Sequence, residues 1–303
     1  MAAEPHKPSI LTFPPRPEWG SAAHRRAVGE YVRKCREHAG VSRAAAANHI
    51  RTSPATYGRL EKGMAPLRQR DIDDLALLYG MHDAAELRRV SELVAEAARP
   101  APWQQYSDMV VSWFRPLLSL EPAAELIHSY EPQLVPGWLQ TEEYAQIVTR
   151  AGHPLASQAW IDRRCALRKG RFDMFRRAVD PPALLAIMDE TVLNRPVGSP
   201  GVMYRQIHHL LKLLEQYPYE LNLQIAPLSM GAIGAVGHAI VHLRFRHSLL
   251  PDAVYLEQCE SASYTEYESE TKGHQARLVN LSMTAAGEEQ TRELLLDALE
   301  KYR

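Results

Sequence analysis

The sequence predicts two domains, a small all-α domain followed by a larger α+β domain with a sheet of roughly five strands. Segments with helical periodicity and clear end signals fill the region before residue 99. After residue 102, segments with alternating apolar residues, typical of half-buried strands, are interspersed with helical segments. The stretch Arg99-Pro100-Ala101-Pro102 breaks the pattern, so we expect the domains at residues 21–99 and 103–303.

Five short helices are predicted in the first domain, after a proline-rich arm at residues 1–20 that we expect to be flexible. Ser42 and Ser53 have the side chain that accepts a hydrogen bond at a helix start, and Pro54 suits a first helical turn. Gly40 and Gly80 are typical of helix ends. The predicted helices run from Ser21 to Ala39, Ser42 to Ile50, Ser53 to Gly63, Gln69 to Tyr79 and Asp83 to Ala98.

The second domain mixes strand-like and helical segments. Leu221, Leu223 and Ile225 alternate with polar residues, which places them on one face of a strand. Ser199 and Pro200 open a helix whose apolar residues recur at helical spacing. The predicted strands are residues 125–130, 183–189, 220–226, 238–246 and 253–259, and further helices are predicted at 157–178 and 288–302.

Length and composition restrict the class of protein. With 303 residues, 46% of them hydrophobic and 23% charged, the chain has ordinary globular composition and is long enough for two cores. No apolar run reaches the roughly 20 residues of a membrane-spanning helix, and the first ten residues lack the apolar core of a signal peptide. Three widely spaced cysteines, Cys35, Cys165 and Cys259, indicate reduced thiols, so we expect a cytoplasmic protein.

The net charge of −1 conceals two regions of opposite sign. Residues 1–70 contain 13 Lys and Arg against 5 Asp and Glu, a net charge of +8. Residues 71–303 contain 22 against 31, a net charge of −9. This asymmetry is expected when one domain alone meets a polyanion such as DNA. A merely solvated basic surface is the alternative interpretation.

Residues 40–63, with the sequence GVSRAAAANHIRTSPATYGRLEKG, have the layout of two helices joined by a short polar turn. The segment resembles the lambda-repressor-like helix-turn-helix of Xre-type regulators, in which the second helix enters the major groove. Several positions depart from that pattern. Arg43 replaces the usual Gln, Arg51 replaces the usual turn Gly, and Pro54, Ala55 and Gly58 occupy positions of the second helix that usually contact bases. The matching positions are Gly40, Ser42, Ala47, Ser53, Thr56, Arg59, Glu61 and Gly63.

The resemblance implies contacts with double-stranded DNA from this segment. Pro54, Ala55 and Gly58 cannot hydrogen-bond a base edge with a side chain, so we expect Thr56 and Arg59 to read bases and phosphate contacts to dominate affinity. For Arg59 the alternative is an ion pair within the domain. The candidate DNA-binding residues are Arg43, Arg51, Thr52, Thr56, Tyr57, Arg59, Lys62 and Arg68.

The second domain resembles the carboxy-terminal domain of WhiJ-like regulators of actinobacteria, an antitoxin-like group. Residues 103–114, WQQYSDMVVSWF, and 130–144, YEPQLVPGWLQTEEY, carry the likeness, and three shorter segments agree in order: 161–168, 189–198 and 254–257. The resemblance implies a DNA-binding regulator that is often encoded beside a small partner protein.

Aromatic and charged residues in these segments are candidates for a ligand or partner site. The aromatic side chains either line a pocket or belong to the core, and the charged ones either line the same region or form ion pairs. Both interpretations stay open for this set, which comprises Trp113, Phe114, Tyr130, Glu131, Trp138, Arg163 and Arg164.

These observations predict a sequence-specific, nucleoid-associated transcriptional regulator that acts as a homodimer, since one such module makes few DNA contacts. Its second domain is expected to sense a small-molecule effector or a small partner protein. The alternative is an antitoxin-like module that sequesters a small protein and autoregulates by binding DNA. We expect no enzyme activity, cofactor, metal or membrane partner, because no phosphate-binding loop or nucleophile motif is present and His238, His242 and His247 lack further ligands at suitable spacing.

Overall fold

The computed structural model describes residues 21–98, 102–176, 181–234, 237–245, 250–258 and 261–303. The chain forms two compact units, one within residues 1–101 and the other made of residues 102–246 and 251–303. The predicted arm at residues 1–20 lies outside the described residues, as do His247 and Cys259.

The amino-terminal unit is built from helices whose ends the sequence largely predicts. Ser42 Oγ accepts a hydrogen bond from the Ala45 amide at 3.2 Å, and Ser53 Oγ accepts one from the Thr56 amide at 3.1 Å. Gly80 takes the left-handed conformation, with φ 70°, that ends the fourth helix. The described part of this unit contains α1 (Ser21–His38), α2 (Arg43–His49), α3 (Pro54–Glu61), α4 (Gln69–Tyr79) and α5 (Ala84–Ala97).

Small residues bring the helices of this unit close together. Ala46 and Ala47 of α2 are completely buried. Gly29 lies where α1 crosses the end of α3, and a Cβ atom there would lie 2.5 Å from the Leu60 carbonyl oxygen. The backbone of α3 is therefore seated directly against α1, which fixes the side of α3 that remains exposed.

The carboxy-terminal unit has a mixed sheet, which confirms the predicted α+β class. The described residues form six strands, one more than predicted, in the order β3-β2-β1-β4-β5-β6. β1, β2 and β3 are parallel, whereas β4, β5 and β6 are added by antiparallel pairing. The strands are β1 (Leu126–Glu131), β2 (Ala183–Asp189), β3 (Leu221–Ala226), β4 (Ile240–Arg244), β5 (Ala253–Glu257) and β6 (Ala262–Thr265).

Helices join the parallel strands, since a parallel pair requires a long crossover connection. The described helices of this unit are α6 (Arg115–Leu120), α7 (Glu142–Gly152), α8 (Gln158–Phe172), α9 (Thr191–Asn194), α10 (Pro200–Gln216), α11 (Glu268–Thr284) and α12 (Glu288–Lys301). The helix predicted at residues 157–178 is shorter in the structure, because a 3-10 helix, Asp173–Arg176, follows α8, while residues 177 and 178 lie outside the described part.

The two faces of the sheet have different neighbours. Leu278 and Leu281 of α11 pack with Tyr130, Ile187 and Ile240 in one cluster of the core. Successive residues of a strand point to opposite faces, so Tyr130 faces α11 and Glu131 faces away from it. α10 and α12 pack against β3, where the Ile225 amide donates to Thr291 Oγ1 of α12 at 3.2 Å.

Candidate nucleic-acid interface

The turn between α2 and α3 sets the angle at which α3 is presented. Arg51 in this turn has φ 57°, the left-handed conformation that glycine adopts without steric cost. The Thr52 amide donates to the Ala47 carbonyl at 2.9 Å and closes the turn onto α2. The chain therefore turns at Arg51 as the helix-turn-helix pattern requires. The left-handed conformation of this non-glycine residue costs about 1 kcal/mol.

One side of α3 is open and the other is packed. A Cβ atom added at Gly58 would meet nothing within 4 Å, so the middle of the exposed side has room for another molecule to approach the backbone. The exposed or partly exposed residues are Pro54, Ala55, Thr56, Gly58 and Arg59, whereas Tyr57, Leu60 and Glu61 are buried.

The segment that contains α2, the turn and α3 is strongly cationic. Residues 41–70 contain six Arg and Lys residues and a single acidic residue, Glu61. Glu61 is only 4% exposed, and its carboxylate is held by Arg36 Nε at 2.5 Å and by Arg43 Nε at 2.8 Å. Because the one acidic side chain of residues 41–70 is buried and paired, the exposed charges of this segment are positive.

Most of the predicted DNA-binding residues lie on the surface of the unit. Arg59 is exposed on α3 and forms no ion pair within the described residues. Thr56 Oγ1 accepts a hydrogen bond from Ser53 Oγ at 2.9 Å and stays partly exposed. The exposed residues of the set are Arg43, Arg51, Arg59, Lys62 and Arg68, and the partly exposed ones are Thr52 and Thr56.

Tyr57 is the exception, because its side chain is buried and the predicted phosphate contact is wrong. Its side chain is 0% exposed, and its hydroxyl group forms a hydrogen bond of 2.5 Å with the hydroxyl group of Tyr79. Burial, and then the bond to Tyr79, raise the pKa of the Tyr57 hydroxyl. Tyr57 belongs to the core, and its spacing three residues before the apolar Leu60 is the signal in the sequence that indicates this.

In the carboxy-terminal unit, Arg171 joins two of the residues predicted for a ligand or partner site. Its guanidinium carbon lies 5.1 Å from the ring centre of Phe114 and 4.8 Å from that of Trp138. Arg171 Nε also donates to Glu121 Oε2 at 2.9 Å. Trp138 is 4% exposed, so these residues form a packed cluster of aromatic rings around a paired cation.

Of the other predicted residues of this unit, Tyr130 and Arg163 have partners outside this cluster. Tyr130 faces α11 and donates from its hydroxyl group to the Gly234 carbonyl at 2.7 Å, while Glu131 lies on the opposite face. Arg163 forms an exposed two-point ion pair with Asp108 at 2.7 and 2.8 Å. Arg164 lies 5.4 Å from the ring centre of Trp160, and Trp113 packs edge-on against Phe114 at 6.2 Å. The core and ion-pair interpretations thus describe Tyr130 and Arg163.

Two further arginines extend this cluster and were missing from the prediction. Arg164, Arg168 and Arg171 recur at helical spacing along α8, which is a signal that the sequence contains. Burial, and then the charge of Arg164, lower the pKa of Arg168 to about 10. Burial, and then the charge of Glu257, raise the pKa of Glu131 to about 8. Charged side chains of α8 and of β1 and β5, among them Arg168, Glu131 and Glu257, therefore lie close together.

The part of the chain that the structure describes presents neither a cluster of metal ligands nor a membrane-spanning helix. No group of three or more His, Cys, Asp or Glu side chains among them is arranged to hold a metal ion. None of the helices in the described part of the chain has both the length and the apolar content needed to cross a membrane. Cys35 and Cys165 are free thiols.

Comparison with known families defines the two parts of the chain. Residues 27–90 match the family described as Helix-turn-helix domain, so the class that α2 and α3 define by geometry is also the class that the sequence comparison finds. Residues 114–297, more than half of the chain, match the family described as Domain of unknown function (DUF5753). The chain belongs to this DUF5753 family. The search of curated proteins and the search of solved structures each found no match.

Proposed function

We propose that this chain is a sequence-specific DNA-binding transcriptional regulator of the Xre type, close to the WhiJ-like group. The observation that carries the proposal is the exposed side of α3 with Arg59 and Thr56, in a segment, residues 41–70, whose single acidic residue, Glu61, is buried and paired with arginines. An α-helix fits the major groove, and arginine pairs with guanine there through two hydrogen bonds. The proposed activity is binding, without catalysis.

The residues on and around α3 are proposed to make two kinds of DNA contact, to base edges and to phosphates. Thr56 and Arg59 reach base edges, because they lie on the open side of the helix. The remaining exposed cations contact phosphates on either side and set the register of the helix on the duplex. These phosphate-contacting residues are Arg43, Arg51, Lys62 and Arg68, with Thr52 as a neutral partner.

The chain is further proposed to act as a homodimer. The sequence of the amino-terminal unit offers few base-reading side chains, because Pro54, Ala55 and Gly58 present none that can form hydrogen bonds. Regulators of this class gain affinity by placing two helices on half-sites about one turn apart. We propose that the carboxy-terminal unit holds two copies together and senses a small-molecule effector or a small partner protein.

The experiment begins by capturing the genomic sites bound by the full chain in cells, followed by titration of the recovered duplex with purified protein. We expect tight binding whose equilibrium constant falls steeply with salt concentration, because each phosphate contact releases a counterion. Equal affinity for the recovered duplex and for a scrambled duplex of the same composition would contradict sequence-specific regulation. Light scattering of the same sample measures the oligomeric state, and a small protein that copurifies in fixed ratio would favour the antitoxin-like alternative.

A further inference from the structure

A cavity lies between α11 and the sheet of the carboxy-terminal unit. Its volume is about 330 Å³, at the lower end of the range for small-molecule sites. Three adjacent strands, β2, β1 and β4, form its floor, and α11 forms its other wall. The lining residues are Leu126, His128, Leu185, His242, Arg244, Gln275, Val279, Ser282 and Met283.

The strand register arranges the floor of the cavity from apolar to polar. Leu185 of β2 is paired with His128 of β1, and His128 is paired in turn with His242 of β4. In the next row Leu126 of β1 is paired with Arg244 of β4. The β2 side of the cavity is therefore apolar, and the β4 side carries two imidazole rings and a guanidinium group.

Several polar groups that line this cavity lack partners within the described residues. His128 is 4% exposed and His242 is 1% exposed, yet His128 Nε2 and His242 Nδ1 form no hydrogen bond. The side chains of Arg244 and Gln275 likewise form no hydrogen bond or ion pair within the described part of the chain. Buried polar groups are normally satisfied, so polar atoms left unpaired at a cavity call for a ligand or ordered water.

The charges near the cavity define what kind of ligand fits. Burial, and then the charges of His242 and Arg244, lower the pKa of His128 to about 4, so this imidazole is neutral near pH 7. His242 Nε2 lies 3.0 Å from Asp252 Oδ2, so that carboxylate is already engaged. Among the described residues, Arg244 is the cation of the cavity lining that has no partner, and a guanidinium group binds a carboxylate through two parallel hydrogen bonds.

We propose that this cavity binds a small carboxylate with a hydrocarbon body, the carboxylate at Arg244 and the hydrocarbon toward Leu185 and Met283. The proposal deepens the sensing role proposed above for this unit by naming the class of effector. Binding is measured without DNA, so its failure is distinguishable from failure of the DNA-binding proposal.

The test uses the full chain with octanoate as the probe and octan-1-ol as the uncharged probe of equal length. Isothermal titration gives the affinity, and long-range ¹H–¹⁵N spectra of the imidazole rings report on His128. We expect saturable binding of octanoate at one site per chain, a shift of the His128 signals, and affinity for octan-1-ol that is lower by about tenfold or more.

Variants distinguish octanoate binding in this cavity from nonspecific adsorption to the protein surface. Arg244→Gln should weaken octanoate binding at least about tenfold, whereas Arg277→Gln, at an exposed position of α11 outside the cavity, should leave it unchanged. Met283 is 80% exposed at the rim, so Met283→Glu should fold normally and should weaken octanoate by charge repulsion. Absence of saturable octanoate binding, or equal affinity in Arg244→Gln and the unchanged protein, would overturn the proposal.

Discussion

Gly29 of α1 lies directly against the carbonyl oxygen of Leu60 near the end of α3. A Cβ atom at residue 29 would lie 2.5 Å from that oxygen and 2.6 Å from the carbonyl oxygen of Glu61. These neighbours are backbone atoms, which cannot rotate aside as a flexible side chain does. The position of α3, the proposed recognition helix, therefore depends on Gly29, which lies outside the helix-turn-helix segment.

Gly29→Ala is expected to destabilise the amino-terminal unit by about 1–3 kcal/mol, because α1 and α3 must separate to admit the methyl group. Gly58→Ala is the matched control, since the added methyl group meets no atom within 4 Å and alanine favours a helix by up to about 1 kcal/mol. Urea unfolding of the two variants measures the difference. If both variants had the same stability, the close approach of α1 and α3 would be wrong.

Arg51→Gly is expected to weaken DNA binding without lowering the stability of the amino-terminal unit. Glycine adopts the observed φ of 57° without steric cost, so the free energy of unfolding should rise or stay level, within about 1 kcal/mol. Loss of the exposed guanidinium group should weaken DNA binding and reduce the slope of log K against log salt by about 1.

The measurements for Arg51 are urea unfolding and titration of a labelled duplex at several salt concentrations. Arg88→Ala, at an exposed position of α5, is the control and shows the effect of removing one positive charge far along the sequence from the turn. An unchanged salt dependence in Arg51→Gly would remove Arg51 from the phosphate-contacting set.

Glu131 should make the carboxy-terminal unit less stable as pH rises. Its pKa is raised from 4.5 to about 8 in the folded chain, by burial first and by Glu257 second. Between these two values the unfolded chain has released this proton and the folded chain still holds it, so the free energy of unfolding falls by up to about 1.4 kcal/mol per pH unit. Below pH 4.5 Glu131 is protonated in both the folded and the unfolded chain, and its contribution to the free energy of unfolding is at its maximum.

Glu131→Gln should remove that part of the pH dependence, so the variant gains stability relative to the unchanged protein at pH 8.5 and gains little at pH 5. Unfolding curves recorded at both pH values provide the measurement. Glu293→Gln, at an exposed position of α12, is the control and should follow the unchanged protein. Parallel pH profiles for Glu131→Gln and the unchanged protein would show that Glu131 ionises normally.

Much of the amino-terminal unit could be predicted because its ends are encoded locally. Ser42 and Ser53 act as caps where their side chains predicted helix starts, and Gly80 ends α4 at the expected residue. The same residues define the helix-turn-helix segment, so the exposed cations of the candidate site could be named in advance. The phosphate contact predicted for Tyr57 was wrong because tyrosine occurs in cores as well as at surfaces. Its spacing of three residues from the buried Leu60 places it on the buried side of α3.

The carboxy-terminal unit was less predictable because its packing is not local. β6 has only four residues, Ala262–Thr265, none of which is fully buried, so an alternating pattern does not stand out. α11 was not predicted because few of its residues are apolar and buried. Leu278 and Leu281 are its main contacts to the sheet. The cavity beneath α11 depends on strand pairing across β2, β1 and β4, which the sequence pattern alone does not specify.

The central claim is that the exposed side of α3 reads DNA, and Arg59→Ala tests it most directly. The measurement is titration of a fluorescent duplex, recovered by genomic capture, with the full chain, the Arg59→Ala variant and the Arg88→Ala control. Because an arginine that pairs with a base contributes about 1–3 kcal/mol of discrimination, we expect Arg59→Ala to lose roughly tenfold or more in affinity for the recovered duplex. Its affinity for a scrambled duplex and its stability should change little. Unchanged affinity for the recovered duplex in Arg59→Ala would contradict the account.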